Sequence, residues 1–298
     1  MRRTRVEPIH GLLLLDKPPD LTSHQAVVAA RQALAAESAG HTGTLDPLAT
    51  GMLPIAFGLA TRLAGWMLDA DKAYRVRARL GFTTDTFDST GKVQLERPLP
   101  ADWAQLVPGL LPRFTGAIQQ VPPQFSALKR GGEPIYKLAR AGVEVPLDAR
   151  PVQVHALELL ATGPDWMDLE VHCGKGTYIR SLVADLGEAL GCGAHVIALH
   201  RLWVAPFSHS PMTSLATLNA DRAAARAALL PPQAMIPQLP RLEVGADVAD
   251  RLLHGQRIAG YRKLSGTNPL AVLHGDTLIG LVSVDERGVL RPLRILKP

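Results

Sequence analysis

The sequence predicts an α+β protein. Runs with strand periodicity are interspersed with amphipathic helical runs up to about residue 230. Residues 231 to 240, "PPQAMIPQLP", hold four prolines in ten positions, which is the composition of a boundary. Beyond them, short alternating runs separated by turn residues predict a small β-rich unit.

"GLLLL" (11 to 15) predicts a buried strand, and "TSHQ" (22 to 25) has the T-x-x-Q capping box that opens a helix running to about Ala36. "MLPIAFG" (52 to 58) is strand-like, whereas "LATRLAGWMLDA" (59 to 70) has helical apolar spacing. "AYRVRARLG" (73 to 81) alternates strictly, with Tyr74, Val76, Ala78 and Leu80 on one face and Arg75, Arg77 and Arg79 on the other. One face is therefore expected to be apolar and the other basic.

From Pro122 to Arg150 the chain is dense in Pro, Gly, Lys and Arg, which predicts a mobile excursion with a short helix near 134 to 141. "WMDLEVHC" (166 to 173) and "HVIALHRLWVAPF" (195 to 207) predict strands, and residues 177 to 191 and 213 to 230 predict helices. "LAVLHG", "TLIGLVSVD" and "VLRPLRIL" supply the terminal strands.

The 298-residue chain is 47% hydrophobic and 20% charged, enough to bury a sizeable core. Its net charge of +5 favours a polyanionic partner, nucleic acid first among them. Two cysteines, Cys173 and Cys192, are too few for a disulfide scaffold and suit a reducing compartment. The apolar run after the basic start ends at Asp16, too short for an export signal, and no stretch has the length of a membrane span. A soluble cytoplasmic protein is expected.

Familiar nucleotide and hydrolase motifs fail. "CGKGTY" (173 to 178) lacks the glycine at 169 and the Ser or Thr at 176 of a phosphate loop, and there is no G-x-G-x-x-G, G-x-S-x-G or H-E-x-x-H. A zinc site could recruit His172, Cys173, Cys192 and His195, but adjacent strand residues face opposite ways and C-x-x-H alone is weak spacing. The P-C-x-x-C of the zinc deaminases is absent.

"GHTGTLDPLATG" (40 to 51) sets one carboxylate, Asp46, among glycines, threonines and small apolar residues. Asp before Pro is a common turn initiator. Glycines at 40, 43 and 51 would also let a partner approach closely, and a free aspartate is ionised at neutral pH, with a pKa of about 3.9. Turn residue and reactive acid both fit these residues alone.

That segment, together with "GLLLLDKPPDLTSHQAV", "DKAYRVRARLGFTTDTFD", "PPQFSALKRGGEPIYKLARAGVEV" and "CGKGTYIRSLVADLGEALGCGAHVIALHRLWVAPF", closely resembles the bacterial TruB family of tRNA pseudouridine synthases, in order, from about residue 9 to residue 207. The resemblance implies a pseudouridine synthase fold: a mixed, largely antiparallel sheet flanked by helices, with a small C-terminal PUA-like β domain that residues 241 to 298 match loosely. It implies a catalytic domain over 1–230 with an RNA-gripping insertion at about 122–150, a linker at 231–240 and an RNA-binding domain at 241–298. The implied reaction converts uridine 55 in the tRNA T-arm loop to pseudouridine, by base flipping and without metal or organic cofactor.

By the same resemblance Asp46 is the catalytic aspartate, Tyr74 the stacking tyrosine, and Arg180 the arginine that pairs with the aspartate. Tyr178 and Leu199 belong to the base pocket, and His41 to the RNA loop near the vacated base position. Lys129, Arg130, Lys137 and Arg140 of the insertion are expected to grip RNA; the strand arginines stay open between RNA contact and simple solvation. The partner implied is tRNA, with no membrane, no obligate protein partner and a monomeric enzyme. An idle RNA-binding protein and a nucleoside glycosylase are the rival readings. The intact Asp46, Tyr74 and Arg180 argue against the first, and the second would release free uracil.

Overall fold

The computed structural model describes residues 8–126, 128–130, 132–143 and 145–297. Among these residues a nine-stranded sheet runs in the order Thr213–Ser214, Gly11–Lys17, Thr50–Phe57, Ala194–Val204, Lys72–Leu80, Trp166–Cys173, Arg150–Thr162 and Gly116–Gln120, with Ala39–His41 branching from Thr50–Phe57. Two junctions are parallel, the outermost with Thr213–Ser214 and the short meeting of Ala194–Val204 with Thr50–Phe57; the rest are antiparallel. The α+β reading, mixed and largely antiparallel, holds.

The leucine run of 12 to 15 is buried because its strand is covered on both faces. Leu13 and Leu15 join the core under the helices Ser23–Leu34 and Ile179–Ala189. Leu12 and Leu14 join a second core with Met52, Leu63, Met67 and Met235. Each fully buried leucine contributes about 1.5–3 kcal/mol, so a continuous apolar run, not an alternating one, suits this position.

The Ser23–Leu34 helix starts where its capping box places it: the Gln25 N–H donates to the Thr22 hydroxyl, and the Thr22 N–H to the Gln25 side chain. It ends at Leu34, two residues before the expected stop, with Ala35 left-handed. The helix expected over 59 to 70 is a 3-10 turn, Gly58–Leu63, continued by a five-residue helix, Ala64–Leu68. The helix expected over 213 to 230 is divided into Leu215–Ala220 and Arg222–Ala227, because Asp221 turns extended and caps the second piece.

Strand Lys72–Leu80 buries Tyr74, Val76, Ala78 and Leu80 as expected. The basic face is corrected. Arg75, Arg77 and Arg79 lie opposite Glu170, Asp168 and Trp166 on the next strand and pair with Glu170, Asp168 and Asp165 at 3.1, 2.7 and 3.2 Å. Arg77 makes two bonds to Asp168 and stacks on Trp166. The face is a mixed-charge ladder because the neighbouring strand alternates acids in register with the arginines.

The C-terminal residues form a four-stranded sheet, Arg241–Glu243, Leu270–His274, Thr277–Val284 and Leu290–Ile295. It also carries a helix the sequence reading did not foresee, Ala246–Leu253. The proline-rich stretch before it is not loose: Met235, Ile236 and Leu239 are buried, and Ala271, Leu273, Leu278 and Leu281 of the small sheet share their core.

Candidate active site

Asp46 sits in the loop between the strands Ala39–His41 and Thr50–Phe57. Buried polar groups hold that loop from several directions. Ser23 and Leu45 clasp one another: the Ser23 hydroxyl donates to the Leu45 carbonyl at 3.0 Å and accepts the Leu45 N–H at 2.8 Å. Lys17, fully buried, donates to the carbonyls of Pro18, Leu21 and Pro47 at 2.8, 2.7 and 3.2 Å. Burial pushes its ammonium down to about 8, while Asp20 and Asp46 pull it up. Arg201, also sealed, donates to Met52, Thr44 and Gly43 carbonyls.

Of the glycines expected to admit a close approach, Gly51 does so, but to the chain itself. With φ at +92°, it lies where a Cβ would stand 2.3 Å from the Arg201 carbonyl. An added Cβ at Gly40 would meet open space. Gly51 thus lets Thr50–Phe57 and Ala194–Val204 meet in parallel beneath the Asp46 loop.

Ser23→Ala is expected to cost about 1–2 kcal/mol, because it orphans the buried Leu45 N–H and carbonyl. A urea melt would read this, and turnover should fall with it as the loop loosens.

Arg180 holds Asp46 by one hydrogen bond, Nη2 to Oδ1 at 3.0 Å, and by a close ion-pair contact, Nε to Oδ2 at 2.8 Å. Its other donors are used as well: Nη1 meets the Thr86 carbonyl at 2.8 Å and Asp88 at 3.4 Å, and Nη2 meets the Phe125 carbonyl at 2.9 Å. The Arg180 side chain is 5% exposed and that of Asp46 31%, so the cation is sealed while the acid keeps an open side. Burial raises the Asp46 carboxyl above its ordinary value, the Arg180 charge pulls it down, and Asp88 pushes it up again. Asp88 is fixed by Thr86 and Thr90.

A cavity of about 360 Å³ opens at Asp46. Asp46, Tyr74, Tyr178, Arg180 and Leu199 all line it, with Lys72, Ser126 and Arg201. Tyr74 is buried, and burial raises its phenol against the opposing charge of Arg201. The Tyr178 phenol is likewise raised by burial.

His41 ends the short strand that leads into the Asp46 loop; it is not among the cavity-lining residues, and its Nδ1 accepts the Gly43 N–H at 3.4 Å. Burial, Arg201 and His24 all lower its pKa. Of the insertion residues, Lys137 is exposed on the helix Ile135–Arg140. The side chains of Lys129, Arg130 and Arg140 lie outside the described residues. The zinc candidates have other engagements: His172 meets Glu170 at 3.2 Å and the Trp203 ring, Cys173 is buried, and His195 meets the Phe82 carbonyl at 3.2 Å.

Sequence reasoning missed Lys17, Ser23, Asp88, Ser126 and Arg201. Lys17 and Ser23 lie in "LDKPPDLTS", and their only local signal is a charged or polar residue inside an apolar or capping pattern.

Residues 31–179 match the family model of the TruB family pseudouridylate synthase N-terminal domain. Residues 180–237 match the tRNA pseudouridylate synthase B C-terminal domain, and 240–296 the C-terminal domain of pseudouridine synthase II TruB. The likeness thus extends well past residue 207. The tRNA pseudouridine synthase B of Chromohalobacter salexigens is 46% identical over 297 residues, 99% of this chain and 97% of that protein. That of Ralstonia nicotianae is also 46% identical, over 97% of this chain and 94% of its own. Among solved structures, a chain of a Cbf5–Nop10–Gar1 complex superposes with a TM-score of 0.70 at 26% identity, covering 97% of this chain and 85% of that one. Fold, domain matches and full-length identity agree: the chain belongs to the TruB family of pseudouridylate synthases.

Proposed function

We propose that this pseudouridine synthase isomerises uridine 55 in the T-arm loop of tRNA, with Asp46 as its catalytic residue. The observation that carries the reading is the one half-open acid among the cavity-lining residues, held by a sealed arginine through a hydrogen bond and a close ion-pair contact, in a cavity it shares with Tyr74 and Leu199. In the reaction the N1–C1′ bond breaks, the uracil turns, a C5–C1′ bond forms, the C5 proton leaves to solvent and N1 takes up a proton. No water is consumed, so the two-carboxylate arrangement of glycoside hydrolysis is unnecessary.

Attack on the sugar, addition to the base at carbon 6 and removal of a sugar proton all require the carboxylate beside the glycosidic bond. The Arg180 pair orients it for any of them by charge-assisted bonds. The target lies in a folded loop, so the base must leave its stack. Tyr74 supplies an aromatic surface for it and Leu199 an apolar one, with Tyr178 at the polar side.

In this reading residues 1–230 catalyse, the insertion at about 122–150 grips RNA through Lys129, Arg130, Lys137 and Arg140, and 241–298 add RNA contacts across the 231–240 connection. His41 acts outside the cavity, on the RNA loop. The enzyme works as a monomer in the cytoplasm on tRNA.

A T-arm RNA tritiated at uracil carbon 5 tests this, incubated without added metal or cofactor. Tritium release with no free uracil supports the reading; no release defeats it, and free uracil would point to a glycosylase. Asp46 must be ionised to act, and burial raises its pKa, so the carboxylate is lost as pH falls through a value above the ordinary ~3.9. The acidic limb of the single-turnover rate is therefore expected above that value. A limb at or below it, in folded protein, would contradict the assignment.

A further inference from the structure

The base of the insertion is fastened to the catalytic segment by matched hydrogen bonds. The Gln120 side chain donates to the Tyr178 carbonyl at 3.0 Å and accepts the Tyr178 N–H at 2.7 Å. The Ser181 hydroxyl donates to the Val121 carbonyl at 2.8 Å, and Arg180 to that of Phe125 at 2.9 Å. Gln124 closes the insertion, donating to the Val145 carbonyl at 2.8 Å and accepting its N–H at 3.3 Å.

Ser126, the next residue, breaks this pattern. It is 3% exposed and lines the cavity beside Asp46, Tyr178 and Arg180. Its Oγ has no hydrogen-bond partner among the described residues. The Tyr178 phenol is close enough to feel that hydroxyl, yet the two do not meet hydrogen-bond geometry. A buried hydroxyl without a partner destabilises a fold, and an alanine of nearly the same shape would not. Such a group in the wall of a ligand cavity is available to pair with whatever fills that cavity, solvent or ligand.

We propose that the Ser126 hydroxyl donates a hydrogen bond to a carbonyl of the flipped uracil, an inference that rests on the cavity being the uridine site. The Arg180 donors that face the cavity are already engaged by Asp46 and the Phe125 carbonyl, and Tyr74 and Leu199 offer surfaces for the ring. Among the described residues the serine proton meets no acceptor in hydrogen-bond geometry, the nearby Tyr178 phenol included, and uracil presents two carbonyl acceptors. Because Ser126 is carried by the insertion, the contact forms only when the insertion and the catalytic segment are seated together.

The test uses the full chain, a T-arm stem-loop and single-turnover rates, with uridine, 2-thiouridine or 4-thiouridine at the target. Ser126→Ala is expected to slow conversion of the uridine substrate roughly tenfold, with RNA affinity within about twofold and Tm unchanged or raised. One of the two thio substitutions should slow wild type but add nothing in Ser126→Ala, which identifies the carbonyl. A full rate in Ser126→Ala overturns the proposal. Thio effects that multiply fully with the substitution at both carbonyls overturn it too, whatever the Tm does. Failure of wild type to convert even the uridine substrate would instead defeat the functional reading itself.

Discussion

Asp46→Asn is expected to abolish turnover, by on the order of 10³-fold or more, while leaving tRNA affinity within a few-fold of wild type. The asparagine keeps the shape and can still accept one bond from Arg180, whose second carboxylate partner, Asp88, is untouched. The fold therefore survives and only the ionised oxygen is lost. Affinity should persist because, in the proposed reading, phosphate contacts from exposed basic residues such as Lys137 supply most of the binding free energy. Tritium release measures the first quantity and filter binding the second. A variant that releases tritium at the wild-type rate would remove Asp46 from the chemistry; one that loses tRNA binding would show that the acid belongs to the RNA interface.

Arg180→Met is expected to be the more damaging to the protein itself. The methionine fills much of the space but leaves Asp46 and Asp88 without their shared cation, and the Thr86 and Phe125 carbonyls without a donor. Removing one partner of a buried pair typically costs about 3–5 kcal/mol, because a buried charge is left uncompensated. A marked fall in Tm should accompany loss of turnover. The sign with pH follows: burial already raises the Asp46 carboxyl, and without the cation its protonation relieves the burden, so the variant should lose less stability in mild acid than at neutral pH. Urea melts of wild type and variant at the two pH values would show it, and an equal deficit at both would mean that the carboxylates are held by something other than Arg180. Arg180→Lys restores a charge but not the fork that reaches both Asp46 oxygens, so it should recover stability more than rate.

Much of the architecture is local and was legible. The Thr22–Gln25 capping box lies within one helical turn, and the alternation of 73 to 81 needs only the two-residue period of a strand. The acid of "GHTGTLDPLATG" and the arginine of "GKGTYIR" were legible through resemblance, and they prove to be 134 positions apart in sequence and 2.8 Å apart in space. Local signals failed where a neighbour decided. Asp221 had to be seen capping a helix to divide the 213 to 230 run, and Asp168 and Glu170 had to come into register, with Asp165 just before their strand, before the strand arginines lost their apparent basicity.

The sequence by itself determined the α+β class and the family and singled out Asp46 as the candidate acid, because propensity, period and a long motif are properties of contiguous residues. Only the tertiary structure decided what holds that acid: Ser23 on Leu45, Lys17 on Pro47, Arg201 on Gly43 and Thr44, and Asp88 sharing Arg180. It alone places the Ser126 hydroxyl in the cavity wall without a hydrogen-bond partner among the described residues. Whether a buried polar atom has a partner depends on which strands and loops meet, and sheet register sets that across more than a hundred residues, beyond the reach of any local pattern.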